Sequence, residues 1–187
     1  MKTRNIVIIC LLLVGVISFG ILHGIVMPQL AENEKEYSED QQDPITHDVT
    51  SVLKYSNKYM GNSSNIANLV GSLPLGNIDK SFQLFPDVFT LEINFKEDIS
   101  NMNKKHLETS LIYNATAAFS LIDNLEAIHF IFDEASYKVT RSAVAQWYAV
   151  DDLSFLTDKT TWRELVQSKL TNDHYVSDCM NTIFLKE

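Results

Sequence analysis

The sequence predicts an α+β fold. It contains an antiparallel sheet, whose β-hairpin and further strands are separated by a long helix, and a helical C-terminal third. One transmembrane helix precedes this domain. Two patterns predict the domain: apolar residues alternate in several short segments, as in half-buried strands, and recur every three or four positions in others, as in helices. An apolar run near the N-terminus predicts the membrane span. The composition, with 45% hydrophobic and 21% charged residues, is that of a globular protein.

The apolar run covers residues 6–27, which contain no Asp, Glu, Lys or Arg. About 20 helical residues cross a hydrocarbon core of ~30 Å, so the run is long enough to span a membrane. Lys2 and Arg4 precede it and acidic residues follow it, which by the positive-inside rule places residues 1–5 in the cytoplasm and the rest outside. A cleaved signal peptide is the alternative, but its apolar core is usually shorter and no clean cleavage site follows the run. We therefore expect an uncleaved, single-pass anchor in the cell membrane.

Two glycines in the run form a Gly-x-x-x-Gly pair, Gly20 and Gly24. Small residues four positions apart allow two membrane helices to approach closely, so the pair predicts a helix–helix contact. Glycine is also frequent in membrane helices in general, and this simpler explanation stays open.

An acidic segment follows the run. Residues 29–48 hold seven acidic side chains and one cation, Lys35, with few large apolar residues. Such a stretch buries too little surface to offset the entropy lost on ordering it. We expect a flexible stalk over residues 28–48, with His47 in it, and a folded domain over residues 49–187.

The first half of the domain contains one helix and a hairpin. Asn62-Ser63-Ser64 offers N-cap oxygens to a helix whose apolar residues end before Pro74. Alternation at Phe82 and Leu84 predicts a first strand, and alternation from Phe89 to Phe95 predicts a second. Pro86-Asp87 marks the turn between them.

The second half contains the long helix, two more strands and the C-terminal helices. An apolar stripe from Asn103 to Ile122 predicts an amphipathic helix. Alternation at residues 128–132 predicts a third strand, and Tyr137 and Val139 a fourth. The remaining signals are helix caps at Thr140, at Thr161 in a capping box with Glu164, and at Asn172-Asp173.

Two segments of the domain carry a specific combination of residues. The first reads Lys54-Tyr55-x3-Tyr59-x-Gly61-Asn62-x2-Asn65-Ile66 and continues as Leu69-Val70-x2-Leu73-Pro74-Leu75. The second reads Tyr113-Asn114-Ala115-Thr116-Ala117-Ala118-Phe119-x-Leu121-Ile122-Asp123-Asn124, followed by Ile128-x-Phe130. Together they cover most of residues 52–132 and resemble the two motifs of the bacterial family called domain of unknown function 4825.

The resemblance implies a location and a fold. Members of this family are typically extracytoplasmic, on lipoproteins or single-span proteins of Gram-positive bacteria, and similar domains are appended to membrane metallopeptidases of the beta-lactam-sensor type. The family has no established activity, so the resemblance implies no mechanism. The chain departs from the family pattern between Phe82 and Phe95, where Pro86-Asp87-Val88 replaces a Pro-Tyr-Gly-like turn.

The sequence carries no recognisable catalytic motif. A net charge of -9, from 15 Lys and Arg against 24 Asp and Glu, argues against a nucleic-acid partner, which requires clustered cations. Two cysteines are too few for a disulfide framework or a four-cysteine zinc site. His-Glu-x-x-His and Gly-x-Ser-x-Gly are both missing from the sequence. We expect no cofactor, no metal site and no catalytic residue.

One helix near the C-terminus holds two residues of chemical interest. His174 and Asp178 are four positions apart, the spacing of a metal-binding pair, but no third ligand is identifiable. Cys179 falls on the apolar side of the same helix, which favours a buried thiol over a nucleophile.

These patterns favour a non-enzymatic, extracytoplasmic module that binds a protein or a small ligand at a Gram-positive cell surface, with a membrane or cell-wall protein as the expected partner. Phe85, Val88 and Phe89 are the candidate binding surface, because large apolar groups at a hairpin tip are poor solvent-facing choices. Packing beneath the C-terminal helices is the competing explanation for these three side chains.

Two other functions stay open. The first is a cell-envelope hydrolase of unrecognised type, because catalytic carboxylate pairs are defined by distance in space and sequence spacing does not exclude them. The second is a regulatory partner that couples to another membrane protein through the anchor helix.

Overall fold

A computed structural model describes residues 2–96 and 102–187 of the chain. The described residues divide into two compact units, one ending at Asp40 and the other spanning Gln41–Glu187. The helices are α1 (Lys2–Ile21), α2 (Met27–Asp40), α3 (Ser63–Ser72), α4 (Lys104–Leu121), α5 (Arg141–Tyr148), α6 (Lys159–Trp162), α7 (Ser168–Leu170) and α8 (Asp173–Ile183). The strands are β1 (Lys80–Phe85), β2 (Thr90–Phe95), β3 (Ala127–Ile131), β4 (Ser136–Thr140) and β5 (Phe184–Lys186).

The N-terminal unit is helical throughout its described residues. A π-helical turn over Leu22–Val26 joins α1 to α2 without a break. The resulting helix, Thr3–Asp40, is long and apolar enough to cross a membrane. A membrane anchor and a signal sequence both have this length and composition.

The structure differs from the expected flexible stalk over residues 28–48. Helix α2 continues to Asp40, with an ion pair of 3.7 Å between Lys35 Nζ and Glu39 Oε1 one helical turn apart. Glutamate and lysine favour helix, and such pairs add to it, which explains why the segment is helical. The remaining residues, from Gln41 onwards, belong to the second unit, so the folded domain begins before residue 49.

A five-stranded sheet forms one layer of the second unit, in the order β1-β2-β3-β4-β5. The predicted antiparallel sheet is confirmed for three of its four pairings, while β2 and β3 run parallel. Parallel neighbours need a long crossover connection, and α4 provides it. Strand β5, a three-residue edge strand directly after α8, was not predicted from the sequence.

The two faces of the sheet differ in polarity. The helix-covered face carries Leu91 and Ile93 of β2 and Phe130 of β3, all buried. The opposite face, here called the open face, carries a row of residues in register, Gln83, Glu92, His129, Lys138 and Leu185. His129 lies between two carboxylates there, with Nδ1 3.9 Å from Glu92 Oε2 and Nε2 3.7 Å from Glu187 Oε2.

Helix α4 is the centre of the domain. The sequence predicts one apolar stripe, but every residue from Thr109 to Leu121 is buried. The sheet covers one side, where Asn114 and Ala118 share a small cavity with strand residues. The C-terminal helices cover another side, where the rings of Tyr113 and Trp162 are 5.1 Å apart. The predicted amphipathic helix therefore has no polar, solvent-facing side from Thr109 to Leu121, because two layers enclose it.

Side-chain caps begin most of the helices of the domain. The structure confirms the predicted caps, each accepting from a backbone N–H two or three residues on: Asn62, Thr140 and Asn172. Asn103, which was not predicted as a cap, accepts from the His106 amide in the same way. The predicted cap at Thr161 is wrong. Asp158 Oδ1 accepts from the Thr160 and Thr161 amides at 3.1 and 2.9 Å, so the helix begins one turn earlier than predicted. Aspartate caps a helix as well as threonine does.

Candidate functional site

The hairpin between β1 and β2 ends in an exposed apolar tip. A 3-10 turn over Pro86–Val88 leads into Phe89, which adopts the left-handed conformation with φ 49° and ψ 40°. Val88 is 63% exposed and Phe89 is 42% exposed. Both side chains therefore face solvent and do not pack beneath the C-terminal helices.

Phe89 stands at a position where four-residue hairpin loops favour glycine or asparagine. A left-handed conformation costs a residue with a Cβ roughly 1–2 kcal/mol. Two other described non-glycine residues share it: Leu75, which is 2% exposed, and Ala149, which ends α5. Burial offsets the cost at Leu75 and helix capping offsets it at Ala149. At Phe89 the strained backbone instead presents a ring to solvent.

The backbone of Phe89 is fixed despite the exposure of its ring. Its carbonyl accepts two hydrogen bonds, from the Glu126 and Ala127 amides at 2.8 and 3.2 Å. The loop that donates them is itself held, since Arg141 Nε donates to Leu125 O at 2.8 Å and Arg141 also contacts Ile122 O. The hairpin tip therefore holds Val88 and Phe89 in a fixed position, as a preformed contact surface requires.

A second exposed ring belongs to a segment that contacts the same loop. Tyr59 is 68% exposed, and the amide of its neighbour Met60 donates to Asn124 Oδ1 at 2.7 Å. Asn124 belongs to the loop that holds Phe89. We call Tyr59, Val88 and Phe89 the apical surface. Tyr59 was not predicted as a candidate, although it is part of the first family-like motif. The position of its segment depends on contacts of residues 57–60 with a distant loop.

The other predicted site residues do not join this surface. Phe85 is half-buried and pairs with Thr90 at the end of β1. Gly20 and Gly24 belong to the N-terminal unit, and a Cβ built on either would meet nothing within 4 Å. Both glycines are therefore sterically free for a close helix contact, which stays a prediction.

A buried histidine is the main correction to the predicted roles of single residues. His47 was predicted in the stalk but is 2% exposed. Its Nε2 lies 2.9 Å from Ser72 O, and its Nδ1 lies 2.6 Å from Tyr113 Oη. A carbonyl only accepts, so Nε2 carries the proton and Nδ1 accepts from the tyrosine. Burial lowers the pKa of His47, which keeps the ring neutral and makes it a structural anchor.

Gln167 holds the chain segment on the N-terminal side of His47. Its Nε2 lies 3.0 Å from Pro44 O, 3.1 Å from Ile45 O and 2.9 Å from His47 O. We call residues 43–48 the strap. Gln167 ends a π-helical stretch, Arg163–Gln167.

The described residues also contain an open cleft of about 350 Å³ beside the strap. It is lined by the strap, the first turns of α4 and the end of α7, and includes Asp43, Lys105 and His106. Lys105 Nζ is paired with Asp173 Oδ1 at 2.5 Å. No group of three or more His, Cys, Asp or Glu side chains in the described part of the chain is placed to hold a metal ion. His174 Nδ1 lies 3.0 Å from Asp178 Oδ2 as an exposed pair.

Residues 52–141 match the model of the family described as Domain of unknown function (DUF4825). This range contains the two motifs identified in the sequence, the hairpin tip and the loop that holds it. No curated protein and no solved structure matches the chain.

Proposed function

We propose that this chain, whose residues 52–141 match the DUF4825 family model, is a membrane-anchored, extracytoplasmic module that binds another protein without catalysis. The contact surface is the apical surface, and the partner is a protein of the membrane or the cell wall. The observation that carries the proposal is the exposed pair Val88 and Phe89 on a strained backbone that two hydrogen bonds hold in place.

The shape and chemistry of the apical surface favour a protein partner. Small-molecule sites are concave and enclose their ligands, whereas a hairpin tip protrudes. Aromatic residues near the centre of a contact supply much of the binding energy between proteins. Tyr59 and Phe89 provide two such rings, and Val88 lies beside one of them.

The properties of the N-terminal unit support the anchor. Large apolar side chains are exposed along its first helix, among them Leu11 and Val16, and a lipid environment would bury them. Lys2 and Arg4 precede the apolar run, and acidic residues follow it. This asymmetry supports an N-terminus in the cytoplasm and a domain outside.

The positions of four titratable groups with shifted pKa values support a role without catalysis. Burial raises the pKa of Tyr113 and Tyr148, and raises that of the Cys179 thiol to about 12. Asp158 has a lowered pKa because it accepts hydrogen bonds from Thr161 at the start of a helix. Catalytic groups with shifted pKa values lie in accessible clefts, whereas these groups are buried or cap a helix.

Labelling with a membrane-impermeant maleimide tests the anchor and its orientation. Cys179 is buried, so it gives little background in folded protein. In intact cells, we expect the reagent to label a Ser177→Cys variant, whose site is exposed on α8, and to leave a Thr3→Cys variant unlabelled until the membrane is opened. Labelling of Thr3→Cys alone would show the opposite orientation, with the N-terminus outside.

Site-specific photo-crosslinking in the native host tests the apical surface. A photoreactive phenylalanine analogue replaces Phe89 in one variant and Phe155 in the other. Phe155 is exposed but lies outside the apical surface, so it is a matched control. We expect one recurrent protein adduct at position 89 and none at position 155. Equal adducts at both positions, or none at position 89, would contradict the proposed surface.

A further inference from the structure

The first strand of the sheet has an unpaired outer edge. In the described residues, β1 bonds only to β2 and ends the strand order. The Lys96 amide donates to Asp79 O at 2.9 Å, and hydrogen-bonded pairs alternate along an antiparallel ladder. Ser81, Gln83 and Phe85 therefore direct their backbone groups to β2. Phe82 and Leu84 direct theirs outwards, to the free edge.

Among the described residues, those from Ser81 to Phe85 carry none of the features that discourage pairing with another strand. Natural edges are protected by charged residues, by proline or by bulges. The five residues from Ser81 to Phe85 are uncharged and contain no proline, and their register with β2 is continuous. The side chains of Phe82 and Leu84 are half-buried, since the helical layer covers them incompletely.

Lys80 is the one cation of β1, and it does not protect the edge. Its Nζ donates to the carbonyls of Leu75, Gly76 and Ile78 at 2.7, 2.9 and 2.8 Å. The charge is therefore committed to the turn before the strand, at one end of β1. At the other end, Pro86 has no N–H and ends any ladder.

We infer that β1 pairs with β1 of a second copy of this chain, antiparallel and about a two-fold axis at Gln83. The outward backbone groups of Phe82 then meet those of Leu84 of the partner subunit, and the reverse, which joins the two sheets into one. Because the free edge is symmetric about Gln83, it is complementary to itself.

The side chains and charges also favour a second copy. On the helix-covered side, Phe82 would pack against Leu84 of the partner subunit, an apolar pair of the kind that stabilises sheets. On the open face, Gln83 would meet Gln83 of the partner subunit, and two amides can hydrogen-bond to each other. Copies with a net charge of -9 repel each other in general, and this uncharged edge allows their approach. The pairing uses no residue of the apical surface, so it is independent of the proposed function.

A disulfide test reports both the pairing and its register. The two Gln83 positions form a non-hydrogen-bonded pair with Cα atoms about 4.5 Å apart, within the range that a disulfide bridges. The two Ser81 positions are about 13 Å apart, at four residues of offset. Ser81 is exposed on the same face as Gln83, which makes Ser81→Cys the matched control for Gln83→Cys.

We expect full-length Gln83→Cys protein in detergent to form a disulfide dimer as its main species under mild oxidation, on a non-reducing gel. Ser81→Cys should stay at the level of the wild-type chain, which reports any background from Cys10 and Cys179. Equal dimer in the two variants, or none above the wild-type level in Gln83→Cys, would overturn the inference.

A second measurement does not depend on oxidation. Gln83→Lys places two like charges opposite each other, and Gln83→Asn does not. Both are made with Gly20→Leu and Gly24→Leu, which remove any association of the helices. By mass in detergent, we expect Gln83→Asn to retain the dimer and Gln83→Lys to lose at least half of it. Equal dimer in both variants, or a monomeric Gln83→Asn protein, would contradict pairing through β1.

Discussion

Phe89 is the residue at which the chain departs most clearly from local preference. A bulky side chain in the left-handed region is unusual, and this one gains little burial in return. Its backbone carbonyl has two partners, from Glu126 and Ala127, so the conformation is held by the fold. Backbone strain of this kind clusters at functional sites.

Two substitutions at Phe89 separate strain from contact. Both Phe89→Gly and Phe89→Ala remove the ring, but only glycine adopts the left-handed conformation freely. We expect the glycine variant to be more stable than the alanine variant by about 1 kcal/mol, measured by urea unfolding, and both to lose the crosslinked partner. Ala149→Gly relieves the same conformation away from the tip and should keep the partner. Equal stability of the two Phe89 variants would argue against strain at the tip.

His47 predicts a pH dependence of stability. Folding lowers its pKa below the ordinary value of 6.5, so the unfolded chain takes up the proton more readily. Stability is therefore complete above about pH 6.5 and falls as the pH decreases below that value. In His47→Phe, we expect this slope between pH 6.5 and 4.5 to disappear. We also expect a loss of about 2–4 kcal/mol at pH 7.5, because Tyr113 and Ser72 lose their partner.

The control for this pH dependence is Tyr113→Phe, which removes the hydroxyl and keeps the buried imidazole. It should retain the slope, because burial is the main cause of the pKa shift of His47. A His47→Phe protein with the wild-type slope would assign the pH dependence to other groups. Urea unfolding at closely spaced pH values measures both variants.

At the scale of elements, local signals in the sequence were sufficient for most helices and strands. Asn62, Asn103 and Asn172 are caps that act within three residues, and alternation shows the strands directly. The parallel pairing of β2 with β3 and the burial of α4 on all sides depend on distant segments, which periodicity does not report. Asp158 outcompetes Thr161 as a cap, although both suit that position by sequence.

The candidate site could also be predicted only in part, where its residues are close together in the sequence. Val88 and Phe89 follow a turn signal, Pro86-Asp87, so a hairpin tip with apolar residues was visible in the sequence. Tyr59 was not, because the contact of residue 60 with Asn124 joins segments 64 residues apart.

The strap provides a test of how much one side chain, that of Gln167, contributes to holding a segment in place. Gln167 bonds to three strap carbonyls, so Gln167→Ala should loosen residues 43–48. We expect amide exchange at Thr46 and His47 to accelerate about tenfold, the effect of losing hydrogen bonds worth roughly 1 kcal/mol or more. Gln146→Ala, at an exposed glutamine of α5, should leave these rates unchanged. Unchanged exchange in Gln167→Ala would show that His47 alone holds the strap.

At the scale of the whole molecule, the domain presents its apical surface away from the point where the chain enters it. Gln42 Oε1 accepts from the Asn77 amide at 3.2 Å, close to the start of β1. The hairpin tip lies at the other end of that strand, about 20 Å away for six residues. Gln42 and the pair Val88 and Phe89 therefore lie at opposite ends of β1.

Protein binding through the apical surface is the property that we propose for this domain. The most direct test is chemical crosslinking in the native host, followed by purification of the full-length chain and identification of the proteins that accompany it. Three proteins are compared: the wild type, the double variant Val88→Ser with Phe89→Gly, and Ala149→Gly. We expect one membrane or cell-wall protein with the wild type and with Ala149→Gly, and at least tenfold less of it with the double variant. Equal recovery with all three would contradict the claim, as would a wild-type chain that is recovered alone.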